Sequence, residues 1–209
     1  MAGKITALRL QKRSERRVNV YLDGEFAFGL ADIAAYPLRV GDWLSDEKIT
    51  DLQETDSLER ARDKALSYLA YRPRSTWELQ RYLNKREFLE PVVSQVLAHL
   101  QAVGLVDDLA FARYWIENRA QFRPRGALLL RQELRQKGIA GSIVDEALQD
   151  YDEVAALQRV AHKQARRLRQ LPPEEFRQRL TQRLVRRGFS YESIRDVITD
   201  FIIQSEGDL

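Results

Sequence analysis

The 209-residue chain contains no cysteine. A disulfide framework and a thiolate metal centre are therefore both excluded, and the composition suits a reducing compartment. No stretch approaches the roughly 20 consecutive apolar residues of a membrane span. The opening segment MAGKITALRLQKR lacks the apolar run of a signal peptide. The expectation is a soluble cytoplasmic protein with no membrane partner. Histidine is nearly absent: His99 and His162 are the only two, and neither stands in a metal-ligand spacing such as HExxH. No GxxxxGK[ST], GxGxxG or GxSxG occurs, so there is no phosphate-cradling loop and no nucleophile elbow. Asp107-Asp108 is a carboxylate pair, but it stands at a predicted helix start, where capping and the helix dipole account for it. A magnesium-dependent nuclease built on that pair would lack the rest of its ligand set. The chain is read as a non-enzyme with no cofactor and no metal.

What is present is charge. Arginine and lysine number 34 against 31 aspartate and glutamate, a net of only +3. The signs are segregated. Between Arg159 and Arg187 lie ten cations and two acids, Glu174 and Glu175. Between Arg119 and Lys137 lie six cations and one acid, Glu133. Between Asp42 and Glu59, by contrast, seven carboxylates face only Lys48. A near-neutral protein sorted in this way offers basic faces to an anionic partner.

Hydrophobic periodicity divides the chain. Residues 4 to about 50 are rich in β-branched and aromatic residues, with Asp23-Gly24 between two such runs, a hairpin signal. Strands are predicted near 4–12, 16–22 and 25–30. A short helix or turn near Ala31–Tyr36 should stop at Pro37, and Ser45 should cap a helix running to about Gln53. The predicted core of this part includes Val18, Val20, Leu22, Phe26, Phe28 and Trp43. An acidic join near 51–58 reads as a linker. From there on, one apolar pattern recurs three times: Leu79, Leu83, Phe88, Val93, Leu97; then Leu130, Leu134, Ile139, Val144, Leu148; then Leu180, Leu184, Phe189, Ile194, Ile198. Successive copies are offset by 51 and then 50 residues. Such a period signals stacked supersecondary units, here three helices each. Ser75-Thr76-Trp77-Glu78 is a capping box, Pro124 opens the second helix of the middle unit, and Gly138 and Gly188 close theirs. Ser190 caps the last helix, with Ile194, Val197, Ile198 and Phe201 inward. The predicted fold is mainly α: three tandem three-helix repeats in an elongated array, at 57–106, 107–153 and 154–209, behind a small β-containing domain at 1–56.

Each repeat carries arginines before and along its second helix. In the middle repeat these are Arg119, Arg123 and Arg125, then Arg131 and Arg135, which share a helical face. In the first they are Arg72, Arg74 and Arg81; in the third Arg183 and Arg187, among others. Arginine suits bidentate contact with phosphate or carboxylate, and its recurrence points to a long anionic partner. Tyr114 and Trp115 are read as core residues rather than base-stacking ones.

Two segments, VGLVDDLAFARYWIENRA and LLLRQELRQKGI, strongly resemble the RecX family of regulators of the RecA recombinase, and ALSYLAYRPRSTWELQRYLNKREF resembles that family's first repeat. Members often carry a Gly-Tyr-Gly-Pro-like loop before the second helix of the middle repeat; this chain has Phe122-Arg123-Pro124-Arg125-Gly126 instead. The resemblance implies a monomeric, non-catalytic protein that binds RecA, lies in the groove of the RecA–DNA filament and inhibits recombination and ATP hydrolysis, with effects on DNA repair and the SOS response. The arginines named above would meet RecA carboxylates, single- or double-stranded DNA, or both. The alternative is a DNA-binding or transcription regulator acting on nucleic acid directly.

Overall fold

The computed structural model describes residues 2–11 and 14–207, with 14, 15 and 200–207 by backbone alone. The described chain is mostly helical, and it divides into two compact units. One comprises residues up to Arg72 together with Leu79–Val103; the other comprises Pro73–Glu78 and the residues from Gly104 onward.

The first unit begins with an antiparallel sheet of β1 (Gly3–Gln11), β2 (Ser14–Leu22), β3 (Glu25–Ala31) and the two-residue β4 (Trp43–Leu44), in the order β3-β2-β1-β4. The β2–β3 hairpin closes on Asp23 and Gly24, with φ of 49° and 92°, the left-handed pair that a tight two-residue turn requires. One sheet face buries Ile5, Val20, Leu22, Phe28, Leu30 and Leu44 against Ala35, Leu38 and Ile49. Phe26 and Trp43, expected in this core, are 59% and 68% exposed. The register explains both. Val20 pairs with Phe28 and Tyr21 with Phe26, so Ala27 is an extra residue that turns Phe26 to the outer face. Trp43 pairs with Lys4, while its neighbour Leu44 takes the inward place.

After α1 (Asp32–Ala35), Ser45 caps α2 (Asp46–Leu69) by accepting from Lys48 N. The expected break near 51–58 does not exist: α2 runs unbroken for 24 residues. No proline or glycine falls between Asp46 and Leu69 to stop it. Asp56, in the middle of the supposed linker, is buried and accepts from Arg17 Nη1 and Nη2, at 3.2 and 3.0 Å, and from Ala31 N at 2.8 Å. The acidic stretch is thus partly a clamp between helix and sheet. α2 leads into α3 (Thr76–Asn84) and α4 (Glu90–Ala102), which bury Leu79, Leu83, Val93, Val96, Leu97 and Leu100.

The second unit holds α5 (Asp108–Phe122), α6 (Ala127–Gln136) and α7 (Gly141–Ala147), then α8 (Glu153–Leu168), α9 (Pro173–Val185) and α10 (Tyr191–Gly207). Phe111, Ile116, Leu130, Leu134, Ile139 and Val144 form the core of the first trio. Leu157, Leu168, Leu180, Leu184, Phe189 and Ile194 are prominent in the core of the second. The recurring apolar positions are therefore buried core positions, except Phe88 and Leu148, which are half-buried. Pro124 lies ahead of α6 rather than opening it, since Gly126 is the N-cap. Ser190 accepts from Ser193 N at 3.1 Å, as a cap should. The Phe201 side chain lies outside the described residues.

Repetition extends to the junctions. Ser75 Oγ donates to Lys137 O (2.7 Å), and 51 residues on, Gly126 N donates to Arg187 O (2.8 Å). Thr76 N donates to Asp108 Oδ1 (2.8 Å), and Ala127 N donates to Glu153 Oε1 (2.9 Å). In each acidic pair the first residue caps its own helix: Asp107 accepts from Leu109 N and Ala110 N, and Asp152 from Ala155 N. The second residue of each pair caps α3 or α6. The Asp107-Asp108 pair is thereby fully employed in holding helix ends.

Candidate functional site: a cationic cleft

The α5–α6 loop is fastened from two sides. Tyr151 Oη donates to Arg125 O at 2.6 Å. Burial first, and the nearby Glu153 carboxylate second, push the Tyr151 hydroxyl up to about 12, so it stays protonated and keeps donating. Gly126 is buried so closely against Gly188 that a Cβ there would collide with the Gly188 carbonyl. These contacts bring the loop over α8 and the end of α9.

The result is an open cleft of 690 Å³. The loop contributes Phe122, Arg123, Pro124 and Arg125; α8 contributes Val160, Lys163, Gln164 and Arg167; α9 and its turn contribute Arg183, Arg186 and Arg187. Seven of these lining residues are cations and none is an acid. Lys163 and Arg167 are four apart on α8, so helical geometry sets them on one face. Arg183 is aimed by its bond to the buried Gln164 Oε1 (2.9 Å). Arg125 lies 3.6 Å from Glu133. Among the described residues, Arg123, Lys163, Arg167, Arg186 and Arg187 form no ion pair. Burial, then the charges of Arg125 and Arg167, hold Arg187 below the ordinary guanidinium value. The cleft is a concentration of like charge, and five of its seven cations have no ion partner among the described residues.

Of the arginines singled out in the sequence, Arg123, Arg125, Arg183 and Arg187 come together here. Arg119 does not. Its Nε donates to Glu133 Oε2 (2.8 Å), which also accepts from Trp115 Nε1 (2.8 Å), and its guanidinium lies over the Trp115 ring. Arg131 is paired with Asp145. Arg135 is exposed on α6. Arg72 and Arg81 belong to the first unit, half-buried and exposed respectively, and Arg74 is half-buried in the second. Arg167 and Arg186, which stand among the third repeat's other arginines in the sequence, also line the cleft, and Lys163 is a cleft residue that was not singled out. The signal for Lys163 was its four-residue spacing from Arg167, on the polar side of a helix whose other side reads Leu157, Val160, Ala161 and Leu168.

Among the described residues no group of three acidic or histidine side chains could hold a metal ion. No described helix is long and apolar enough to cross a membrane.

Fold and site together define a small antiparallel β domain followed by tandem three-helix domains, with a basic cleft among the last six helices. Family models match it throughout: "Regulatory protein RecX N-terminal domain" at residues 3–45, and the first, second and third RecX three-helix domains at 61–100, 107–148 and 150–198. The chain is 34% identical over 195 residues to "Regulatory protein RecX" of Bacillus licheniformis, covering 91% of this chain and 74% of that one. It is 30% identical over 209 residues to the Bacillus subtilis protein of the same name, covering 98% and 79%. A solved structure, "Crystal structure of regulatory protein RecX", superposes with a TM-score of 0.72 at 30% identity over 95% of this chain and 99% of that one. RecX from Lactobacillus salivarius shares the fold, with a TM-score of 0.66 at 24% identity over 71% of this chain and 99% of that one. The chain belongs to the RecX family of regulatory proteins.

Proposed function

We propose that this protein regulates the RecA recombinase without catalysis, as a cytoplasmic monomer that binds the RecA–DNA filament in its groove and inhibits recombination and ATP hydrolysis. Family membership supports RecA as the partner. The observation that carries the reading is the cleft, whose seven lining cations and lack of lining acids suit an anionic occupant. Arg123, Arg125, Arg183 and Arg187 are its leading contact residues. Arg72, Arg74, Arg81 and Arg135 are further candidate contact residues, while Arg119 and Arg131 are held in ion pairs and rank below them.

The test is RecA-catalysed, single-strand-DNA-dependent ATP hydrolysis titrated with the full chain. Suppression below one protein per RecA is the expected result. Unchanged hydrolysis, with binding to naked DNA intact, would transfer the cleft to the alternative reading of a regulator that acts on nucleic acid directly.

A further inference from the structure

The two edges of the N-terminal sheet differ. The β3 edge is closed: Ala31 N donates to Asp56 Oδ1 (2.8 Å), and Gly29 O accepts from Arg17 Nη2 (3.1 Å). The β1 edge is open over half its length. β4 pairs with β1 only at Gly3 and Lys4, and Ile5 N donates to Asp42 O while Ile5 O accepts from Gly41 N, both at 2.8 Å. From Ala7 to Gln11, β1 pairs with β2 on one side and, among the described residues, with nothing on the other. We propose that this open edge is a docking site for an extended, acidic segment of a partner protein, which joins the sheet as a further strand where β4 stops. The proposal deepens the regulator reading and rests on it, with RecA as the partner.

The main chain is aimed correctly for this. Gly29 O and Ala31 N face away from β2, so alternation along antiparallel strands turns the groups of Asn19, the partner of Gly29, toward β1. Arg9 pairs with Asn19 and therefore directs its own groups toward β2. Leu8 and Leu10, its neighbours, point their N–H and C=O groups out of the open edge. The side chains agree. Leu8 packs on the buried face of the sheet. Leu10, two residues on, belongs to the same face but is 65% exposed. A strand laid beside β1 would set an apolar residue against it. On the outer face Arg9 lies over the Tyr21 ring, 5.0 Å from its centroid, and has no acid partner among the described residues. Between Lys4 and Arg17 the sequence carries six cations and one acid, Glu15. That charge selects the occupant. A second copy pairing edge to edge would bring two basic segments together, and like charges facing each other across strands are unfavourable. A nucleic-acid phosphate accepts hydrogen bonds and donates none, which leaves the Leu8 and Leu10 carbonyls unanswered. An extended peptide answers donors and acceptors alike, as in strand addition to a sheet edge, and acidic side chains on its outer face meet Arg9.

The experiment is amide hydrogen exchange, read by mass spectrometry on the full chain, free and bound to RecA filaments assembled on single-stranded DNA. Filament binding of three variants is measured alongside. L10P removes an edge N–H, L10T keeps it and changes only the side chain, and R9E reverses the outer-face charge. Edge strands tolerate proline, and circular dichroism checks that each variant is folded. The Leu8 and Leu10 amides are expected to exchange quickly in the free protein and about tenfold or more slowly on the filament. L10P should bind on the order of tenfold more weakly than L10T. R9E should bind roughly threefold more weakly than the parent at low salt, and less so at high salt. If L10P does not fold, the exchange result on the parent decides by itself. Unprotected Leu8 and Leu10 amides on a bound filament, or L10P binding as well as L10T, would overturn the docking site and leave the regulator reading standing. Protection that appears without RecA and grows with protein concentration would assign the edge to a second copy. Protection by single-stranded DNA alone would assign it to nucleic acid. Either result overturns the proposal. A parent that does not bind the filament at all overturns the docking site and the regulator reading together.

Discussion

Single residues carry the polar organisation of this protein, and two of them make measurable predictions. Asp56 satisfies Arg17 and the Ala31 amide at once, in a buried place. Replacing it with alanine strands a guanidinium and an amide together. Asp56→Ala is expected to cost about 3 kcal/mol, at the lower end for a broken buried pair because Arg17 keeps some solvent, as read by urea unfolding of the first unit. Tyr151 predicts a pH effect. Its hydroxyl ionises near 12 in the folded protein and near 10 when free. Between those values the unfolded chain has lost the proton and the folded chain has not, so stability present below pH 10 declines as pH rises toward 12. The side chain is only half buried, so the effect is on the order of 1 kcal/mol after discounting for solvent. Tyr151→Phe should remove that alkaline slope and, by freeing the Arg125 carbonyl, loosen the loop that forms one wall of the cleft.

At the scale of elements, the turn after each repeat's second helix is the informative comparison. Gly138 and Gly188 close α6 and α9 with φ of 77° and 82°, and Glu87 stands at the matching place after α3 with φ of 63°. A left-handed residue with a Cβ is strained there. Glu87→Gly should therefore stabilise the first unit by about 1 kcal/mol, read as a higher denaturation midpoint at unchanged m-value. Gly138→Ala should do the reverse, by more, because the new Cβ would run into the Trp77 side chain as well as into a forbidden φ. These turns were legible in the sequence, as glycines at a fixed offset. The partners of the turns were not. Nothing near Ser75 announces that its hydroxyl will bond Lys137, 62 residues away, and nothing near Asp108 announces Thr76. The helix at 46–69 was misread for a related reason: its acidic run looks like a solvated linker until Arg17 is brought to Asp56.

For the whole molecule, the net charge of +3 conceals a local excess. The free protein bears the mutual repulsion of the cleft cations as a cost of keeping the site ready. R123Q/R167Q/R186Q is expected to raise the Tm by roughly 2–4 °C, about 1 kcal/mol at this chain length, while weakening polyanion binding. Raising the salt concentration should stabilise the parent toward the same value and change the variant little. Calorimetry at two salt concentrations reads both. A variant with an unchanged or lower Tm would mean that the cations are compensated in the free protein.

The sequence by itself determined the repeated three-helix architecture, the apolar positions of each core, the helix caps and the abundance of arginine, because each is set by periodicity or by neighbours a few residues apart. Only the tertiary structure decided which arginines are available. Arg119 and Arg123 are four residues apart and look equivalent in the sequence. One is bound by Glu133 over a tryptophan ring, while the other opens into a cleft shared with α8 and α9. That difference arises from contacts between segments distant along the chain, where ion pairing and desolvation act over ångströms of space and leave no mark on local sequence order.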